Sequence, residues 1–415
     1  MAVAVSPSLP LQAADLRRSL RRTERRRTLR ALALVLPLFL FLLVFFVLPI
    51  ARMLFLSVDN GDMASVLPET ASLLQEWDGE GTPGEAVFAA FGREIVVAQE
   101  ERTLAEVATR LNFIDAGFRS LLFGTARKLP DEAPSDWREA FAEADPRWTE
   151  PATWQAIRTA APRLTDFYLL QAVDLQRGPD GGITNVPPQQ ALYRDVLGRT
   201  FWISTIVTLV CLVLAYPLAY KLATLPPRTS NLLMILVLLP FWTSLLVRTT
   251  AWVVLLQREG LINQTLMKVN LIAEPLQLIY NRTGVYIAMV HILLPFMILP
   301  LYSVMKGISP SYMRAAVSLG ATPFTAFRRV YLPQTTPGIA AGSVLVFILA
   351  IGYYITPALV GGAGDQMISS LIAFFTIQTV NWGLAAALGT VLMVATAILY
   401  AVYAKLVGVE GVRLG

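Results

Sequence analysis

Among its 415 residues the chain has one cysteine and one histidine. Cys211 has no partner for a disulfide within the chain, so any large loop must be held by packing alone. With His291 as the sole imidazole, in an apolar run without acids, neither a Cys/His metal site nor a Ser-His-Asp triad has its parts. No HExxH and no GxxxxGK[ST] occurs, so no P-loop holds ATP here, and energy for any work must come from elsewhere. The acids are missing most selectively. Not one Asp or Glu lies in any of the six long apolar runs, which argues against a proton- or sodium-coupled carrier, since such proteins need ionisable groups inside the membrane.

Apolar residues are abundant: 55% of the chain is hydrophobic, 15% is charged and the mean hydropathy is +0.56. That balance implies an integral membrane protein. Crossing a bilayer core takes about 20 residues, and six runs are long enough: 31–56, 201–223, 232–257, 285–305, 339–360 and 384–404. The expected fold is therefore all-α, with six transmembrane helices and a large helical extracytoplasmic insertion between the first and second. Eight arginines (Arg17, Arg18, Arg21, Arg22, Arg25, Arg26, Arg27, Arg30) against Glu24 precede the first run. By the positive-inside rule they place segment 1–30 in the cytoplasm, and the even count returns the C-terminus there. A nucleic-acid arm or a signal peptide would also be basic, but the apolar run is too long for a signal and five more follow. The net charge of +5 thus follows from topology and calls for no nucleic acid.

Segment 57–200 differs in kind, with 23 Asp and Glu against 13 Arg and Lys. Leu104, Val107, Ala108, Leu111 and Ile114 keep helical spacing up to Gly117, and Ser135 to Ala144 reads as a helix capped by Ser135. Residues 178–188, with Gly178-Pro179, Gly181-Gly182 and Pro187-Pro188, read as a loop. The segment is long enough for a small domain. It is expected to cap the membrane part; docking of a solute-binding protein is the functional alternative. Trp137, Trp148 and Trp154 are candidate anchors or core.

Between the fourth and fifth runs lies YMRAAVSLGATPFTAFRRVYLPQTTPGI (312–339), within a polar loop 306–337 that has Lys306, Arg314, Arg328 and Arg329 and no acid. Ser309-Pro310 and Thr322-Pro323 each supply a hydroxyl cap with proline at the first helical position. Gly320 suits the left-handed residue past a helix end, and Leu332-Pro333 is expected to end the second helix. Tyr312, Ala315, Ala316 and Leu319 share one face of the first helix; Phe324, Phe327 and Tyr331 share one of the second. The bland reading is an amphipathic linker on the membrane surface. The spacing, Ala315-Ala316, three residues, Gly320, nine, Val330, one, Leu332-Pro333, resembles the EAA loop of ABC importer permeases. Arg314 stands where that family usually has Glu, and Val330 where it has Ile.

Other segments resemble the spermidine/putrescine branch of these permeases: Leu239 to Thr243 with Leu246 to Thr249, Gly352 to Leu359, and Asn381 to Ala387. The resemblance covers roughly 31–56 and 195–410, not the insertion. It implies a non-catalytic permease subunit in a bacterial inner membrane, with 201–410 as the permease core and 306–337 as the cytoplasmic coupling loop. The implied partners are two ATPase subunits, a second permease, a periplasmic solute-binding protein and membrane lipid. ATP and Mg²⁺ would bind the ATPases, and this chain would hold no cofactor or metal. The coupling residues would be Arg314, Ala315, Ala316, Gly320, Phe324, Phe327, Leu332 and Pro333. Polyamine is the leading cargo, although spans without acids suit a dication poorly. Another solute, such as an amino-acid derivative, and a membrane-embedded regulatory or scaffold role are the alternatives.

Candidate path residues are Trp242, Arg248, Trp252, His291, Tyr353 and Tyr354. Treating 232–257 as one straight helix puts Arg248 about 24 Å along it, about 6 Å from the outer edge of the core, with His291 about 9 Å below that edge. An interfacial arginine, a core histidine and aromatic anchors at span ends are the competing account. Gly352-Tyr353-Tyr354-Ile355-Thr356-Pro357 favours an interrupted helix beside the path.

Overall fold

The computed structural model describes residue 27 and residues 31–130, 134–178 and 182–407. Most of the arginine cluster and Gly181 therefore lie outside the described residues. Contacts divide the chain into two units, ending and beginning at Phe55 and Leu56.

The first unit contains helix α1, Ala31–Phe55, apolar but for Arg52 in its last turn. A π-turn, Leu43–Val47, stands immediately before Leu48-Pro49. Proline has no N–H, and its ring collides with the carbonyl four residues back in a straight α-helix. A widened turn just upstream displaces that carbonyl, so the helix passes the proline.

The second unit begins with the insertion. Helices α2 (Gly61–Val66), α3 (Pro68–Glu76), α4 (Glu85–Glu100), α5 (Leu104–Asn112), α6 (Phe118–Ala126), α7 (Trp137–Ala144) and α8 (Pro151–Ala160) surround an aromatic core. Phe88, Phe91, Phe141, Trp148 and Trp154 are fully buried and meet at ring separations of 4.5 to 5.8 Å. Both indole N–H groups find acceptors: Trp148 donates to Thr125 Oγ1 at 2.7 Å, and Trp154 to the Trp148 carbonyl at 2.9 Å. The three tryptophans considered as anchors are thus core. Asp136, not Ser135, caps α7 by accepting from Glu139 N at 3.1 Å, so the helix starts one residue later than a Ser135 cap implies. The chain's entry into this domain is fastened to its exit: the Asn60 amide donates to the carbonyls of Ala160 and Pro162, and Thr165 N donates to Val58 O at 2.8 Å. Beyond lie α9 (Phe167–Gln171) and strand β1 (Leu175–Arg177) paired antiparallel with β2 (Ile183–Asn185), of which β2 falls within 178–188, the stretch expected to be loop.

Three long helices form the membrane core: α10 (Tyr193–Thr224), then α14 (Arg282–Gly307) and α16 (Pro323–Gly352). Small residues bring the last two together. A Cβ on Gly342 would sit 2.7 Å from Met297 Sδ, and one on Gly338 3.2 Å from the Leu301 backbone. Close backbone approach of this kind drives helix association where lipid removes the hydrophobic incentive. Helix α19, Trp382–Val407, ends the described chain.

Two expected spans are not single helices. Run 232–257 is broken into α11 (Pro227–Trp242) and α12 (Leu245–Leu256), the chain bending by 96° between them before α13 (Leu261–Lys268). Pro240 tightens the end of α11 into a 3₁₀ turn, Thr243 is extended, and Ser244 restarts the helix by accepting from Val247 N at 3.2 Å. Run 339–360 ends at Gly352; Tyr353 and Tyr354 leave the helix, and α17 (Ile355–Val360) follows as a separate turn. A short apolar helix, α18 (Ile368–Ile377), precedes α19.

Candidate functional site

The loop between α14 and α16 carries helix α15, Pro310–Ser318. Its caps are the expected ones: Ser309 Oγ accepts from Ser311 N at 3.3 Å, and Thr322 Oγ1 from Thr325 N at 3.2 Å. Gly320 has φ of +90°, a conformation that side chains resist. Its backbone closes the helix end, with Gly320 N donating to Val317 O and Ala321 N to Ala316 O. Leu332-Pro333 does not end the second helix. A π-turn, Phe327–Tyr331, precedes Pro333 as in α1, and one helix runs from Pro323 to Gly352.

The loop's apolar side chains separate into two sets. Phe327 stacks on buried Tyr331 at 5.8 Å, and both rings meet Tyr220 edge-on, so they anchor the loop to α10. Leu319 at 89% and Phe324 at 72% exposure point away, with Tyr312, Ala315 and Arg314 also exposed. Leu332 is half-buried and Pro333 exposed. Exposed Leu319 and Phe324 flank a backbone reversal at Gly320 with open space around its Cα. The arrangement is a protruding apolar knob on an anchored base.

A second cluster forms where the broken spans meet. Thr249 Oγ1 and Thr356 Oγ1, both buried, lie 3.2 Å apart and join α12 to α17. One turn of α12 on, Trp252 Nε1 donates to His291 Nδ1 at 3.1 Å, with the rings 5.3 Å apart. Arg248 lies within electrostatic range of His291 and Tyr353. Its Nε and Nη1 are shielded from solvent without a hydrogen-bond partner. The structure therefore gathers Arg248, Trp252, His291 and Tyr353. Trp242, 77% exposed, stands at the bend, and Tyr354 precedes α17; neither shares a ring contact with the four. The straight-helix depth for Arg248 does not hold, because the bend at Thr243-Ser244 lies between it and the start of its run. Thr249 and Thr356 escaped the sequence reading; threonines in apolar segments bonding across helices were the available signal.

Among the described residues no group of three or more His, Cys, Asp or Glu could hold a metal ion. The buried acid Asp365 is engaged, accepting from Arg282 Nε at 2.9 Å.

The profile of the family described as "Binding-protein-dependent transport system inner membrane component" matches residues 200–407. The chain is 37% identical over 212 residues to the spermidine/putrescine transport system permease protein PotB of Haemophilus influenzae, covering 51% of this chain and 74% of that protein. It is 36% identical over 212 residues to PotB of Escherichia coli K12, covering 51% and 77%. Against the E. coli inner membrane ABC transporter permease protein YdcU it is 32% identical over 236 residues, covering 52% and 74%. The permease core therefore identifies the chain as a multi-pass inner-membrane protein that belongs to the family of binding-protein-dependent ABC importer permeases.

Proposed function

We propose that this chain is one of two permease subunits in an ATP-driven polyamine importer. The supporting observation is its 36–37% identity, across the permease core, to spermidine/putrescine permeases. The chain performs no catalysis of its own. Two ATPase subunits hold ATP and Mg²⁺, and the knob at Leu319, Gly320 and Phe324 seats in a groove on one of them. The acidic insertion and residues near the 352–357 break face the periplasm, where a binding protein delivers cargo.

The outer cluster supplies Trp252 and Tyr353, with Tyr354 next in the chain, whose rings can take ammonium groups by cation–π contact. It supplies no carboxylate, so charge selection falls to the binding protein and the second permease. The stacked Phe327 and Tyr331, which meet Tyr220 of α10, and the break of α16 at Gly352 support a route by which a push on α15 would open or close the path.

The test is reconstitution of the four-subunit membrane complex in proteoliposomes with ATP inside and the binding protein outside. Radiolabelled spermidine should accumulate only with ATP and binding protein together. Equal uptake without this chain, or accumulation of a different solute and no polyamine, would refute the reading.

A further inference from the structure

Arg248 is the group the proposed function leaves unexplained. An arginine near a membrane surface usually extends its head to water or phosphate, but here two guanidinium nitrogens are shielded from solvent and lack acceptors. Among the described residues no Asp or Glu forms an ion pair with Arg248. His291 spends Nδ1 accepting from Trp252, so Nε2 bears the proton and is a donor. Tyr353 offers a neutral phenol. No run of the chain long enough to span carries an Asp or Glu, and Asp365, the buried acid nearby in sequence to α17, is held by Arg282. Arg248 is half-buried as a whole, but a cation whose shielded face has no counter-charge is destabilised in protein or lipid. A bare guanidinium would also repel an ammonium cargo at the entrance it must pass.

We infer that Arg248 is half of an ion pair whose carboxylate belongs to the second permease subunit. The same reasoning assigns that subunit's kind. A second copy of this chain has no Asp or Glu in its apolar runs to offer, so the carboxylate would come from a different permease chain with an Asp or Glu in a span. The pair would close between subunits beside the Tyr353-Tyr354 break, removing the positive charge from the path and fixing the register of the two permeases. This inference rests on the two-permease reading above.

The experiment uses the full complex in native membranes, in a Cys211→Ala background. Arg248→Glu should lower uptake at least tenfold and reduce co-purification of the second permease, and one Asp→Lys or Glu→Lys change in that permease should restore both to within threefold. Independently, Arg248→Cys should form a disulfide with a cysteine at that acidic position, without cargo present. Rescue and cross-linking in a complex that moves no spermidine would support the pair and remove only the cargo reading. The inference is overturned if no acidic position rescues or cross-links, or if the importer assembles from this chain as its only permease. It is overturned together with the polyamine reading if Arg248→Gln leaves assembly intact while wild-type uptake is competed by carboxylate solutes and not by spermidine.

Discussion

Gly320 allows backbone strain and partner contact to be measured separately. Its φ of +90° penalises any side chain, by about 1–2 kcal/mol for an L-residue in the left-handed region, while a Cβ there meets nothing within 4 Å. Gly320→Ala therefore adds strain without a clash inside the chain. Since about 1.4 kcal/mol is tenfold in an equilibrium, the docking-competent loop should fall in population by about five- to thirtyfold. Gly320→Asn should lose less, because Asn tolerates this conformation. Gly320→Trp has the same strain as Ala and the same clearance at Cβ, and it adds the bulk of an indole, which a partner's groove would have to accommodate. Co-purification of the ATPase, and binding-protein-stimulated ATP hydrolysis, should follow the order wild type, Asn, Ala, Trp. The thermal midpoint of the membrane core should change little, since Phe327 and Tyr331 still anchor the loop base. Equal behaviour of Ala and Trp would show that the knob is not inserted into a partner, and wild-type behaviour of both would remove the loop from coupling.

Three further outcomes are expected. Gly383→Ala places a Cβ 2.3 Å from the Tyr168 ring, and overpacking of that order costs about 1–3 kcal/mol; thermal unfolding in detergent should show it, and Tyr168→Ala in the same chain should relieve it. The Asp145 carboxyl lies below the usual range because Arg147 bonds it at 2.8 Å. Its stabilising contribution is present above the unfolded carboxylate value of about 3.9 and is lost as pH falls through the lower folded value; Asp145→Asn should flatten the acid limb of a pH–stability curve. For topology, a cysteine at exposed Ile183 should react with an impermeant thiol reagent added outside, and one at Ser318 should be spared; the reverse pattern would invert the proposed orientation.

Local signals were legible and nonlocal ones were not. The caps at Ser309 and Thr322 and the reversal at Gly320 lie within four residues of what they control, so spacing alone announces them. Leu332-Pro333 signals a helix end, but a proline stops a helix only if the carbonyl four residues back stays in place, and the π-turn at Phe327–Tyr331 moves it. Pro240, Thr243 and Ser244 mark the break in the third span, but a hydropathy run of 26 residues hides a bend that leaves its composition unchanged. Trp148 and Trp154 could be surface anchors or core on sequence grounds, since burial depends on Phe88, Phe91 and Phe141 arriving from α4 and α7. The meeting of Trp252 with His291, 39 residues apart, is likewise tertiary.

The insertion lies outside the family match at 200–407, yet its packing ties it to the permease core. Arg110, buried in α5, donates from Nε to Asn60 Oδ1 at 2.7 Å, the residue whose amide fastens the domain's entry to its exit. The same guanidinium lies 4.6 Å over Phe167 and 4.8 Å over Tyr168. Burial pushes its pKa below the usual guanidinium value, and the two aromatic faces offset part of that desolvation. Tyr168 in turn packs on Gly383, where only a glycine leaves room, and on Leu384, Ala387 and Leu388 of α19. At the far end of the domain, Asp174 accepts from the first backbone amides of α10, Leu192 N, Tyr193 N and Arg194 N, at 2.7 to 3.0 Å. Two separate attachments to two different membrane helices remove the freedom that a single tether would allow. A force applied to the insertion is therefore delivered to α10 and α19 together, the route by which a docked binding protein would reach the path.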